Sequence, residues 1–280
     1  VEEFSTSQVE TYVRCPLQEL IRFHYKVPWK EPRSDAFAVS VREGILEFLR
    51  ALKKEKTYRT DLALSGMKRS LETSGLRARR AAETAAQATL VVKDFIDKQW
   101  RKSNQVVAVN HPYRFQLETD LAITGTMDAI IIKNDRNPKK RVIELLHLST
   151  LSRLPSLMEQ ANSISVLLNR YVLADVVISS KRRNTPVKSW WYCCANSTSL
   201  DGTPDAPTMQ RARGWIRSIL ECIQHDLRYP RFSSCKTCNY RPVCDPRLLS
   251  KAWKVIPEKT RYDLEARLNA TTPVRPDLSC

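Results

Sequence analysis

The sequence predicts an α/β protein that begins with a helical lobe, on three observations. Apolar residues recur every three or four positions through the first hundred residues, β-rich segments separated by polar turns follow from about residue 105, and a helix-period stretch interrupts those segments. At 280 residues, 42% hydrophobic and 27% charged, the chain can bury a sizeable core in one domain or two packed ones, so disorder is not expected. Six glycines and fifteen prolines exclude a collagen-like or linker-dominated chain. No apolar run approaches the roughly 20 residues that cross a bilayer, so a membrane is not an expected partner.

The helical lobe is expected over 1–104. Leu17, Leu20 and Ile21, then Ile45, Leu46 and Leu49, then Leu90, Val91 and Phe95 mark its helices. The basic stretch Lys53 to Lys56 and the cluster Arg77, Arg79 and Arg80 read as solvated faces of those helices. An α/β core is expected over 105–230. The segments "VVAVNHPYRFQLE", "LAITGTMDAIIIKN" and "KRVIELLHLS" form a three-stranded meander. A helix from about Pro155 to Tyr171 and two strands, "DVVISSK" and "SWWYCCA", complete the order βββαββ. The turn-rich "DGTPDAPT" then announces a long helix whose stripe is Met209, Ala212, Trp215, Ile216, Ile219, Leu220 and Ile223. It leads into a cysteine segment over 231–250, and a last helix, "EKTRYDLEARLNA", with a tail fills 251–280.

A net charge of +16 is larger than solubility requires and points to nucleic acid. Two basic turns are the candidate phosphate contacts: Lys139, Lys140 and Arg141, and Lys181, Arg182 and Arg183. Tyr12, Tyr25, Trp190 and Trp191 are candidate stacking groups. Trp190 and Trp191 are neighbours on a strand, so they point to opposite faces and one needs a cover other than the core.

Eight cysteines in a chain of this size, with a core of its own, favour ligation in a reducing intracellular compartment over disulfides. Cys193, Cys194 and Cys222 read as small packed residues. Cys235, Cys238 and Cys244 have the spacing C-x₂-C-x₅-C, and a tetrahedral metal site needs a fourth ligand. The chain starts at a valine with no signal-like apolar region, so secretion is not expected, and such a start suits a mitochondrial-matrix protein after presequence removal or equally an ordered fragment of a bacterial or viral protein.

Cys15 lies in "STSQVETYVRCPLQELIRFHY", where Ser5, Ser7, Tyr12, Cys15, Pro16 and Tyr25 together resemble the N-terminal signature of the RecB-like branch of the PD-(D/E)XK nucleases. Iron–sulfur members of that branch include the AddB helicase–nuclease subunit, exonuclease V and the nuclease of CRISPR spacer acquisition. In them one cysteine precedes the nuclease core and three follow it at a spacing like this one. The resemblance implies a restriction-endonuclease-like core with a mixed sheet. It also implies Cys15 as the fourth ligand of a 4Fe–4S cluster that staples the N-terminal helix to the C-terminal end. Four thiolates also suit Zn²⁺, and the spacing alone leaves both metals open.

Chemistry of that kind needs two carboxylates on neighbouring strands to hold Mg²⁺ or Mn²⁺, and a lysine to orient water and stabilise charge. The resemblance maps its G-x-x-D element onto Gly125 and Asp128, and its (D/E)-x-K element onto Glu144 with Leu146 in the lysine slot. A leucine donates no hydrogen bond and carries no charge. The upstream G-x-x-x-H pair falls on Val39 and Glu43, and the later Q-x-x-x-Y pair on Gln160 and Ile164. His147 reads as a packed or surface residue, and Arg153 or Lys188 as candidates to replace the lysine from elsewhere.

The expectation is a catalytically degenerate iron–sulfur protein that serves as a nucleic-acid-binding or structural subunit beside other proteins in a nucleoprotein assembly. A helicase–nuclease complex and an organellar ribosome are the two kinds considered. One alternative is an active single-strand DNA exonuclease built on Asp128, Glu144 and Glu43. Another is a zinc-stapled protein-interaction module.

Overall fold

The computed structural model describes residues 1–27, 36–101, 104–133, 141–151, 156, 163–178, 185–227 and 266. In chain order the elements are β1 (Glu2–Ser5), α1 (Thr6–Arg14), α2 (Pro16–Glu19), α3 (Ala36–Glu55), α4 (Thr60–Glu72) and α5 (Ala78–Asp94). They continue with β2 (Gln105–Gln116), β3 (Leu121–Lys133), β4 (Val142–Ser149), α6 (Ile164–Ile178), β5 (Val187–Cys193), β6 (Thr198–Asp201) and α7 (Ala206–Gln224). The chain divides into two compact units, one of Val1 with Arg33–Ala212 and one of Glu2–Pro32 with Arg213–Cys280. Helices α3 to α5, assigned above to an N-terminal lobe, therefore share a unit with the sheet. Among the described residues no helix is long and apolar enough to cross a membrane.

In the first unit, α3 buries Ala38, Val41, Ile45, Phe48, Leu49 and Leu52, spaced as one helical face. That face meets Ala63 and Met67 of α4 and Ala88 and Val92 of α5. Gly44 sets the approach of the three helices. A Cβ there would lie 3.0 Å from Val92 Cγ2, 3.1 Å from the Ala63 carbonyl oxygen and 3.2 Å from Met67 Cβ. The same core continues onto the sheet through Ala129, Ile131, Leu146, Leu148 and Tyr192.

Strands β2 to β6 of this unit pair in sequence order. The pairs β2–β3 and β3–β4 are antiparallel, as the expected meander requires, β4–β5 is parallel and β5–β6 is antiparallel. The sheet is thus mixed. A register shift between Val106 and Ala108, and Asn110 at φ 46°, interrupt the regular course of the long β2.

The order βββαββ holds, but with a different pair of closing strands. The "DVVI" of the expected strand "DVVISSK" is the last part of α6, and the second closing strand is β6. Two physical reasons account for this. A parallel β4–β5 pair needs a crossover connection, which α6 supplies. Ile164, Val166, Leu167 and Leu168 of α6 are all buried, and an apolar run buried all round carries no period that separates helix from strand. The helix expected from about Pro155 is described only from Ile164.

In the second unit, Ser5 caps α1 by accepting the Gln8 N–H at 3.1 Å. Pro16 opens α2, and the residue before a proline is driven out of the helical region. Cys15 accordingly sits between the helices with extended backbone, at φ −162° and ψ 110°. From α7 this unit buries Ile216, Ile219, Leu220 and Ile223, whereas Trp215, expected in the same stripe, is 38% exposed. Tyr12 donates its hydroxyl to the Leu227 carbonyl at 2.6 Å, and Gln224 Nε2 donates to Glu2 Oε2 at 2.8 Å.

Two glycine substitutions test this packing in opposite directions. Gly44→Val overfills the α3–α4–α5 contact and lowers unfolding free energy by roughly 1–3 kcal/mol. In Gly214→Ala the new Cβ meets nothing within 4 Å, so the variant gains up to about 1 kcal/mol from helix propensity. Urea denaturation of both variants checks the pair.

Candidate functional site

Asp128 stands one residue beyond the last β3–β4 register pair, Ala129 with Leu146. Both of its carboxylate oxygens are engaged. Oδ1 accepts from Arg42 Nη2 at 2.5 Å, and Oδ2 accepts from the Leu148 N–H at 2.8 Å. Where β3 leaves β4, this side chain thus bonds a strand N–H of β4. Arg42 projects from α3 and also binds Glu43 Oε1 through Nη1 at 2.8 Å. Burial is the largest influence and alone would lower the Arg42 pKa, but Asp128, Glu43 and Cys194 together raise the guanidinium above its ordinary value. One arginine therefore joins two of the candidate metal-binding carboxylates, Asp128 and Glu43.

Glu144 is held elsewhere. It pairs in register with Ile131, and alternation turns it toward the face that carries Leu146 and Leu148 into the helical layer. Its side chain is 9% exposed, and Lys133 Nζ forms an ion pair with Oε2 at 2.7 Å. Lys133 also lies over the Trp190 ring, 4.7 Å from its centroid. Asp128 and Glu144 belong to register positions three residues apart, roughly 10 Å along the strands, and each carboxylate has its own cation. The structure does not bring these two together. Leu146, in the lysine slot, is 1% exposed and belongs to the core. Lys188 pairs with Asp201 at 3.3 Å.

The other face of the sheet carries His147. Its ring stacks on Trp191 with centroids 5.1 Å apart, so these two aromatic side chains cover each other. Trp190, on the opposite face, stacks on Phe95 at 6.5 Å. The two tryptophans thus both find cover within the chain. His147 is buried, and among the described residues its Nε2 has no hydrogen-bond partner. Burial pushes its pKa down to about 4, and the Asp128 carboxylate opposes that shift only in part. Cys193 and Cys194 are fully buried, and burial raises the Cys194 thiol pKa, which suits a packed residue better than a reactive one.

Of the four candidate cluster ligands, Cys15 is described. It is 6% exposed and lies in the unit that also holds Leu227, eight residues before Cys235. Cys235, Cys238 and Cys244 lie outside the described residues, as do Gln160, Arg153, Lys139, Lys140, Lys181, Arg182, Arg183 and all of the last expected helix except Ala266. Arg141 is exposed ahead of β4. Among the described residues no three His, Cys, Asp or Glu side chains converge in a way that could hold a metal.

Sequence reasoning missed Arg42 and Lys133. Lys133 carried a readable signal, because it shares a face of β3 with Ile131, the partner of Glu144, and opposite charges pair across strands. Arg42 carried none, because only the docking of α3 on the sheet brings it to Asp128. Protein-family models and curated proteins were both compared with the chain, and none matches it.

The buried histidine yields a pH dependence with a definite sign. Its folded-state pKa, about 4, lies below the ordinary 6.5, so between these values the unfolded chain binds the extra proton. The contribution of His147 to stability is whole above pH 6.5 and is lost as the pH falls toward 4, by on the order of 3 kcal/mol. The difference between urea midpoints of wild type and His147→Phe, measured from pH 7 to pH 4, narrows or reverses across that window.

Proposed function

We propose that this chain is a catalytically degenerate protein of the RecB-like PD-(D/E)XK kind, kept as a nucleic-acid-binding or structural subunit of a larger nucleoprotein assembly. The observation that carries the reading is the Arg42–Asp128 pair. A nuclease of this kind needs the carboxylate on β3 to bind a divalent cation. Here a built-in guanidinium neutralises that carboxylate and shares Glu43 with it. The position assigned to the lysine is a core leucine, and Glu144 is paired with Lys133. Asp128, Glu43 and Glu144 are each drawn to a cation of the chain itself, which favours binding over cleavage, and a charge of +16 favours phosphate-rich partners.

A 4Fe–4S staple held by Cys15, Cys235, Cys238 and Cys244 belongs to the same proposal. Cys15 fits it in two ways, being buried between α1 and α2 and lying in a unit where Tyr12 and Glu2 bond to the end of α7 and the residues after it. The cluster would supply no chemistry to a substrate. It would tie together segments more than two hundred residues apart, which constrains the unfolded chain strongly.

Wild type and Asp128→Ala both leave end-labelled single-stranded DNA and RNA intact in Mn²⁺, while salt-sensitive binding persists. Degradation by wild type and not by Asp128→Ala would sink the proposal in favour of an exonuclease. Arg42→Ala, with both carboxylates released, takes up Mn²⁺ that wild type does not, as read by isothermal titration.

Protein purified without oxygen absorbs broadly at about 400 nm, and Cys15→Ser loses that band. A colourless protein that contains zinc transfers the staple to Zn²⁺.

A further inference from the structure

At one end of the α3–α4–α5 layer a cleft of about 550 Å³ opens between the start of α3, the end of α4 and the start of α5. Ala36, Phe37, Val39 and Leu76 form its apolar wall, and Arg80 lines it from α5. The volume lies in the range of sites that enclose one small ligand. Of the four hydroxyl groups in the lining, all but that of Ser70 are already committed. Thr73, Ser74 and Thr84 each donate to a carbonyl of their own or the preceding turn. Polar contact with a ligand must therefore come mainly from guanidinium groups and from the N-terminal N–H groups of α5.

Those groups are open. Arg77, at the N-cap of α5, makes no side-chain cap, and the first turn of the helix holds no acidic residue, so its positive end faces outward unneutralised. Arg79 is drawn to Glu83 at 3.3 Å, whereas Arg77 and Arg80 form no ion pair among the described residues. Glu72, at the end of α4, is exposed. Gly75, at φ 68°, takes the left-handed conformation that favours glycine, and a Cβ there would meet nothing within 4 Å.

We infer that this cleft takes one unstacked nucleotide of a single strand, with its base against Phe37 and Leu76 and its phosphate on Arg77, Arg80 and the start of α5. The inference rests on the nucleic-acid reading above and gives it a location. An apolar wall with an aromatic ring beside two available guanidinium groups matches the two halves of a nucleotide, the π-face and the anion. An acidic peptide would use the cations but not the flat wall.

Fluorescence anisotropy of a labelled single-stranded oligonucleotide across a KCl series tests this on the full chain. The variants are Arg77→Ala with Arg80→Ala, Leu76→Glu, and, as a control of equal charge, Lys53→Ala with Lys54→Ala at the opposite end of α3. The arginine pair binds on the order of tenfold more weakly at about 0.1 M salt. Its salt slope is shallower by about 0.7, because the one phosphate that the two side chains neutralise on a single strand adds roughly 0.7 to that slope. Leu76→Glu weakens binding as well, and the lysine pair changes it least. Equal losses of affinity in the two double variants overturn the site in favour of diffuse charge. Wild-type binding that the arginine pair leaves unchanged overturns the inference alone, and wild type with no salt-sensitive binding overturns the nucleic-acid reading with it. Loss of polyglutamate binding in the arginine pair, with oligonucleotide binding intact, assigns the cleft to a protein partner instead.

Discussion

Strands β3 and β4 hold Asp128 half-buried and Glu144 and His147 buried, and an ion left buried there without a partner would cost several kcal/mol. Each side chain meets that constraint in a different way. Asp128 takes a guanidinium from α3 and a backbone N–H from β4, Glu144 takes an ammonium from its neighbouring strand, and His147 stays neutral against an indole ring. The first of these also joins the layers, because Arg42 stands on the helix whose apolar face fills the core above Leu146 and Tyr192. The charge pattern of the sheet and the docking of α3 are thus one arrangement.

The same arrangement bears on chemistry. Divalent cations and guanidinium groups compete for the same carboxylate lone pairs, and a guanidinium brings its charge without an open coordination position. A site built this way holds its shape without a metal. What the molecule offers outward is different in kind, namely arginines beside an apolar cleft at the start of α3 and α5.

Much of the fold was legible from local signals. Helix periods in α3, α5 and α7, the polar turns of the meander, the cap at Ser5 and the break before Pro16 all act over a few residues. Asp128 drew notice through a short G-x-x-D stretch, which is a local pattern of the same kind. Its partner was not, since choosing Glu144 over Arg42 depends on cross-strand register and on where a helix docks, and a slip of one residue reverses every side chain of a strand.

The sequence by itself determined the kinds of element, their order, the basic charge and the spacing of the cysteines, because these follow from periodicity, turn chemistry and composition. Tertiary structure decided that "DVVI" continues a helix, that Glu144 meets Lys133 while Asp128 meets Arg42, and that Glu2 and Tyr12 bond to residues near the end of α7. These outcomes depend on burial and on contacts between residues far apart in the chain. Such contacts form only once the layers are packed, where pairing each buried charge is worth more than any local preference.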